Sequence, residues 1–127
     1  MLKIDSEKRI HVTRGDSGTI VITAENNDGS VHEFQAGDVI RLKVMEKNDV
    51  ANVVLTNDVT LEENCTSVDM GLNSEETRIG EYINSPVTYW YEVELNPNTN
   101  STTIIGYDED GAKELILYPE GKNESGE

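Results

Sequence analysis

Apolar and polar residues alternate with a period of two through most of this sequence, and turn-forming residues cut the alternation about every eight to twelve positions. A period of two sends successive side chains to opposite faces of a strand, so each run makes one apolar face and one polar face. Residues 9–13 set Ile10 and Val12 on one side, and residues 19–24 do the same with Ile20, Ile22 and Ala24. Residues 39–45 turn Ile40, Leu42 and Val44 inward and Arg41 and Lys43 outward. Residues 53–55 and 59–61 predict a strand pair around Asn57-Asp58, and residues 67–72 align Val68, Met70 and Leu72. The clearest run is 87–95, where Tyr89, Tyr91, Val93 and Leu95 share one face and Thr88, Trp90, Glu92 and Glu94 the other. Residues 31–34 predict a brief return strand, and 102–107 with 113–118 predict a hairpin around Asp108-Glu109-Asp110-Gly111.

Turn chemistry separates these runs. Arg14-Gly15-Asp16-Ser17-Gly18, Asn26-Asn27-Asp28-Gly29-Ser30 and Gln35-Ala36-Gly37-Asp38 carry the Gly, Asn and Asp that tolerate positive φ. Asn73 followed by Glu76 has the spacing of a capping box, which predicts one short helical turn ended by Ile79-Gly80. No segment sustains a 3.6-residue period. About eight short strands with one polar face each predict an antiparallel β-sandwich or small barrel. The chain has 127 residues, enough for one domain with a real core. We therefore expect a single β-domain over residues 1–120 and a flexible acidic tail over 121–127. The buried set should be Ile20, Ile22, Ile40, Leu42, Val44, Val68, Met70, Leu72, Tyr91, Val93 and Leu95.

Charge narrows the function. The net charge is −15, from 25 acidic against 10 basic residues. That balance argues against nucleic acid, whose backbone is bound by clustered Lys and Arg, and against anionic membranes. The opening Met1-Leu2-Lys3-Ile4-Asp5 lacks the apolar stretch of a signal peptide, and no run approaches membrane-spanning length. The single cysteine, Cys65, allows no internal disulfide and stands in no zinc-like spacing, so synthesis in a reducing cytoplasm is expected.

The chemistry-bearing residues assemble into nothing catalytic. His11 and His32 lie in separate runs without a Ser or Cys nucleophile motif. The acids at Asp108, Glu109 and Asp110 stop short of a calcium loop, which needs spaced oxygen ligands and a later bidentate Glu. No cofactor, no metal and no catalytic residue is expected. Trp90 carries the most information, because its face otherwise holds Thr88, Glu92 and Glu94. Either Trp90 plugs the core at a sandwich edge, or it is covered by a partner while the acids form a polar rim. Arg41 and Lys43 answer that rim, within the sheet or from a neighbouring copy. Thr88, Trp90, Glu92, Glu94, Arg41 and Lys43 are thus the candidate partner-binding residues. The alternative function is a carbohydrate- or ligand-binding module using Tyr89, Trp90 and Tyr91, although Trp90 points away from both tyrosines on a regular strand.

An ordered set of short motifs adds a resemblance. Thr13-Arg14-Gly15-Asp16-Ser17-Gly18, Phe34-Gln35-Ala36-Gly37-Asp38-Val39-Ile40-Arg41, Ser74-Glu75-Glu76-Thr77, Tyr89-Trp90-Tyr91-Glu92-Val93-Glu94-Leu95 and Ile104-Ile105-Gly106-Tyr107-Asp108 follow one another in this order. From about Ile10 to Glu120 the chain resembles small β-rich phage and prophage tail proteins of Gram-positive bacteria. These are similar to the N-terminal domain of the upper baseplate protein of lactococcal siphophages. The resemblance implies an immunoglobulin-like β-sandwich and a non-catalytic virion-assembly role. Its implied partners are other tail or baseplate proteins or further copies of the chain. The upper baseplate protein continues into stalk regions for receptor-binding partners, so the resemblance does not extend to that role.

Overall fold

The computed structural model of the chain describes residues 1–120. Nine strands run in the order β1 (Leu2–Ile4), β2 (Ile10–Thr13), β3 (Gly18–Ile22), β4 (Val39–Glu46), β5 (Asp49–Thr60), β6 (Val68–Leu72), β7 (Val87–Leu95), β8 (Thr102–Ile105) and β9 (Lys113–Tyr118). Seven form one sheet in the order β1-β2-β9-β7-β4-β5, with β8 also alongside β7, and β3 and β6 form a second. The expected tail at 121–127 lies outside the described residues.

The alternating faces do what their pattern demands. Ile20, Ile22, Ile40, Leu42, Val44, Val68, Met70, Leu72, Tyr91 and Val93 are buried, and both sheets contribute to one continuous core. Leu95, expected with them, is only half-buried, at the end of its strand. Tyr91 is the largest of these side chains, at 2% exposure, and its hydroxyl donates to the carbonyl of Lys8 in the β1–β2 turn. The second sheet is tied to both edges of the first. Asn57 Nδ2 on β5 donates to the Gly71 carbonyl on β6, and a Cβ on Gly18 of β3 would stand 3.1 Å from the Leu2 side chain of β1.

Five expectations need correction. The larger sheet is mixed: β2 and β9 pair in parallel, Ile10 opposite Leu115 and Thr13 opposite Tyr118. Such a pair joins distant parts of the chain and leaves no local turn signal. Residues 53–55 and 59–61 belong to one twelve-residue strand, not a pair. Asn57 and Asp58 do not break it, because the Asn57 amide reaches Gly71 and Arg41 clamps Asp58. The segments 102–107 and 113–118 do not form a hairpin with each other. Instead β8 pairs with Val93–Leu95 and β9 with Val87–Tyr91, so both lie along the same side of β7. Residues 31–34 contribute only isolated bridges, Glu25 with Val31 and Phe34 with Cys65.

The fifth correction is the helical turn. Both capping-box bonds form, Asn73 N–H to Glu76 Oε1 and Glu76 N–H to Asn73 Oδ1, each 2.8 Å. Even so, no helix occurs among the described residues. Tertiary contacts draw the chain away after one turn: Thr77 is buried with its hydroxyl on the Asp16 carbonyl, and Ile79 enters the core.

Candidate assembly groove on the outer face of the large sheet

The registers on either side of β4 sort the outward side chains of the central strands into cross-strand rows. In the first row Asp58, Arg41 and Glu94 lie side by side on β5, β4 and β7. Arg41 makes a forked contact with Asp58, Nε to Oδ1 at 2.8 Å and Nη2 to Oδ2 at 2.9 Å. That contact holds the Asp58 carboxyl below its ordinary range and the Arg41 guanidinium above its own. In the second row Thr56, Lys43 and Glu92 are opposite one another, and Lys43 Nζ stands 3.3 Å from Glu92 and 4.0 Å from Glu94. Arg41 and Lys43 thus pair with acids of their own sheet. Such half-exposed pairs set alignment more than stability, at about 0.2–1 kcal/mol each.

The third row is different. Val53, Met45 and Trp90 lie opposite one another, and Glu114 of β9 closes the row on the far side of Trp90. Trp90 is half-buried on the outer face, while its neighbours Tyr89 and Tyr91 turn into the core. This separates the aromatic triplet: two tyrosines build the interior and the tryptophan faces out. Thr88 stands one step further along β7 on the same face, opposite Ile116 of β9.

Both flanking ladders break beside Trp90. On the β5 side the register steps from Met45–Val53 to Glu46–Asp49, so Val50, Ala51 and Asn52 have no partner in β4. On the other side the chain leaves β7 after Ile105 and returns at Lys113, so Glu92 has no register partner there. At the exit, a side chain on Gly106 would force Thr103 to shift, since a Cβ would lie 2.6 Å from Thr103 Cγ2. Bulges of this kind re-aim side chains at the rims of sites. The result is a groove of about 320 Å3 with Trp90 and Met45 in its floor, Val50 and Tyr107 in its walls, and Lys43 and Glu92 at one end. Tyr107, at 77% exposure, and Val50, at 53%, are among the most exposed large apolar side chains of the fold.

Val50, Met45 and Tyr107 escape a reading of the sequence for different reasons. Met45 continues the alternation of Arg41 and Lys43, a usable signal. Val50 and Tyr107 reach the groove through ladder interruptions, which nothing local encodes.

Two other clusters are structural in character. His11 Nε2 lies 2.8 Å from Asp5 Oδ2 and Nδ1 lies 2.9 Å from the Tyr118 hydroxyl, joining the β1–β2 turn, β2 and β9. With Asp5 ionised, its carboxylate accepts from Nε2–H. The His11 bond, followed by the backbone N–H of Arg9, holds the Asp5 carboxyl far below the usual carboxylate range. A larger hollow, about 700 Å3, lies on the other side of the 106–112 loop and is lined by Glu7, Arg9, Asp108, Asp110 and Glu114 among others. It is polar, and two of its three cations are paired within it: Arg9 with Glu7 at 2.5 Å and Lys113 with Asp108 at 2.8 Å. Asp108 and Gly111 exchange backbone hydrogen bonds across a tight turn, and no group of three metal-ligating side chains occurs among the described residues. The smaller groove is the better candidate site of the two, because it combines an apolar floor with exposed apolar walls.

No family model matches the sequence, and neither a curated protein nor a solved structure does.

Proposed function

We propose that this chain is a non-catalytic structural component of a phage or prophage tail or baseplate, working by protein–protein assembly through the outer face of β7. The observation that carries the assembly reading is the half-buried Trp90 in an apolar row beside two ion-paired rows of the same sheet face, with both flanking ladders interrupted near it. Tryptophan and tyrosine in a small apolar depression, ringed by charged side chains, match the anatomy of interface hot spots. The tail assignment rests on the ordered motifs from about Ile10 to Glu120.

An immunoglobulin-like sandwich is the finer fold we infer. Its support is strand order: β9-β7-β4-β5 reads as the G-F-C-C′ run of a variable-type sheet and β3–β6 as the facing B–E pair. The tail role is tested by mass spectrometry of purified tail particles from a lysogen of the encoding strain. The chain should be present in fixed proportion to the known tail proteins. Particles that assemble and function without it would overturn the role.

One observation favours a second reading. Trp90 and Tyr107 line the same groove, and exposed aromatic faces stack on sugar rings. Specific, saturable glycan binding that is lost in Tyr107→Ala would support a carbohydrate-binding module instead of an assembly protein.

A further inference from the structure

The groove also carries information about what enters it, and this inference rests on the assembly reading above. Its width suits an anchor side chain, since about 320 Å3 is at the small end of ligand-site volumes. The β5 wall offers main chain as well, since Val50, Ala51 and Asn52 lack partners in β4. An extended segment can use such unpaired edges while one residue fills the apolar floor. Charge selects the flanks. The two lysines that line the groove are already held by acids, Lys43 by Glu92 and Glu94 and Lys113 by Asp108, Glu114 stands opposite Trp90, and the whole chain carries −15. A second copy brings the same −15 and is repelled, whereas a cationic segment is attracted.

We propose that the Trp90 groove receives an extended segment of a partner protein bearing one aliphatic or aromatic anchor flanked by lysine or arginine. Trp90 is the only tryptophan in the sequence, so its emission reports on the groove directly. The probe is the tryptophan-free peptide KKLFLKK, titrated into the full chain, with EELFLEE and KKSGSKK as controls. The expected result is a saturable blue shift with KKLFLKK, binding at least about tenfold weaker for both controls, and a similar loss in Tyr107→Ala. Because Tyr107 is 77% exposed, that variant should keep the fold.

Equal binding of KKSGSKK would overturn the proposal by showing charge attraction without an anchor. Equal binding of EELFLEE, or no shift with any peptide, would overturn it as well. A blue shift that grows with protein concentration alone, without peptide, would assign the groove to a second copy. That outcome defeats the cationic partner and leaves the assembly reading standing. The assembly reading fails separately, if functional tail particles form without the chain.

Discussion

Arg14 shows how much one side chain can organise in this fold. Its guanidinium donates to the carbonyls of Ile79 and Gly80 at 3.2 and 2.6 Å and pairs with Glu120 at 2.6 Å, with 12% of the side chain exposed. The next residue, Gly15, has φ +88°, and a Cβ there would meet Glu120 at 3.1 Å and Arg78 at 3.3 Å. The Arg14-Gly15 pair therefore reads as a clamp between the β2–β3 turn, the segment before β7 and the end of β9. Arg14→Ala should cost about 1.5–3 kcal/mol, the scale of hydrogen bonds to charged groups, with the freed carbonyls and Glu120 left short of partners. Arg14→Lys should recover little, because an ammonium cannot reach the same three acceptors. Denaturant unfolding of both variants checks this, and a neutral Arg14→Ala would show the clamp to be idle. Asp5 is the second residue with a measurable signature. Its folded pKa is depressed, chiefly by His11, so its ionised form contributes stability above the unfolded value near 3.8 and loses that contribution as pH falls. Acid unfolding should therefore be shallower in Asp5→Asn than in the parent chain below about pH 4. An identical acid profile would count against the His11–Asp5 pairing.

At the scale of elements, β4 is the strand to test. It runs between β5 and β7, and Ile40, Leu42 and Val44 are fully buried from its inner face. Leu42→Ala should cost about 2–5 kcal/mol, as large-to-small core changes do. A cost near zero would place the wrong face in the core. Where a strand has one buried and one wet face, alternation alone reveals it, which is why β4, β6 and β7 were legible from residue order. β1 was not, because Leu2-Lys3-Ile4 is too short to show a period. β5 was misread because Asn57 and Asp58 look like a turn until Gly71 and Arg41 supply partners from other strands. The parallel β2–β9 pair and the side-by-side placement of β8 and β9 on β7 depend on pairings far apart in the sequence. The groove shares that fate. Trp90, its charged neighbours and the answering Arg41 and Lys43 follow from alternation, while Val50 and Tyr107 arrive through bulges that only the assembled sheet produces.

For the whole molecule, charge and the outer face belong to one design. A chain at −15 repels itself in the compact state, so its melting temperature should rise as salt is added from low ionic strength to roughly 0.15 M, where screening sets in within about 8 Å. A melting temperature that falls over that range would show the short-range pairs at Arg41, Lys43 and Lys113 outweighing the long-range repulsion. In the assembly proposed above, the same excess of acids disfavours a second copy and favours a partner of opposite charge over the apolar row of Val53, Met45 and Trp90. Trp90 belongs either to a binding face or to the core. The unfolding free energy of Trp90→Ala, followed by circular dichroism in denaturant, decides that most directly. A tryptophan on a binding face gives a loss of about 2–3 kcal/mol, what roughly half of its 150–250 Å2 yields at about 25 cal/mol per Å2. A loss above about 4 kcal/mol, in the upper part of the range for deleting a core aromatic, would contradict the binding-face assignment.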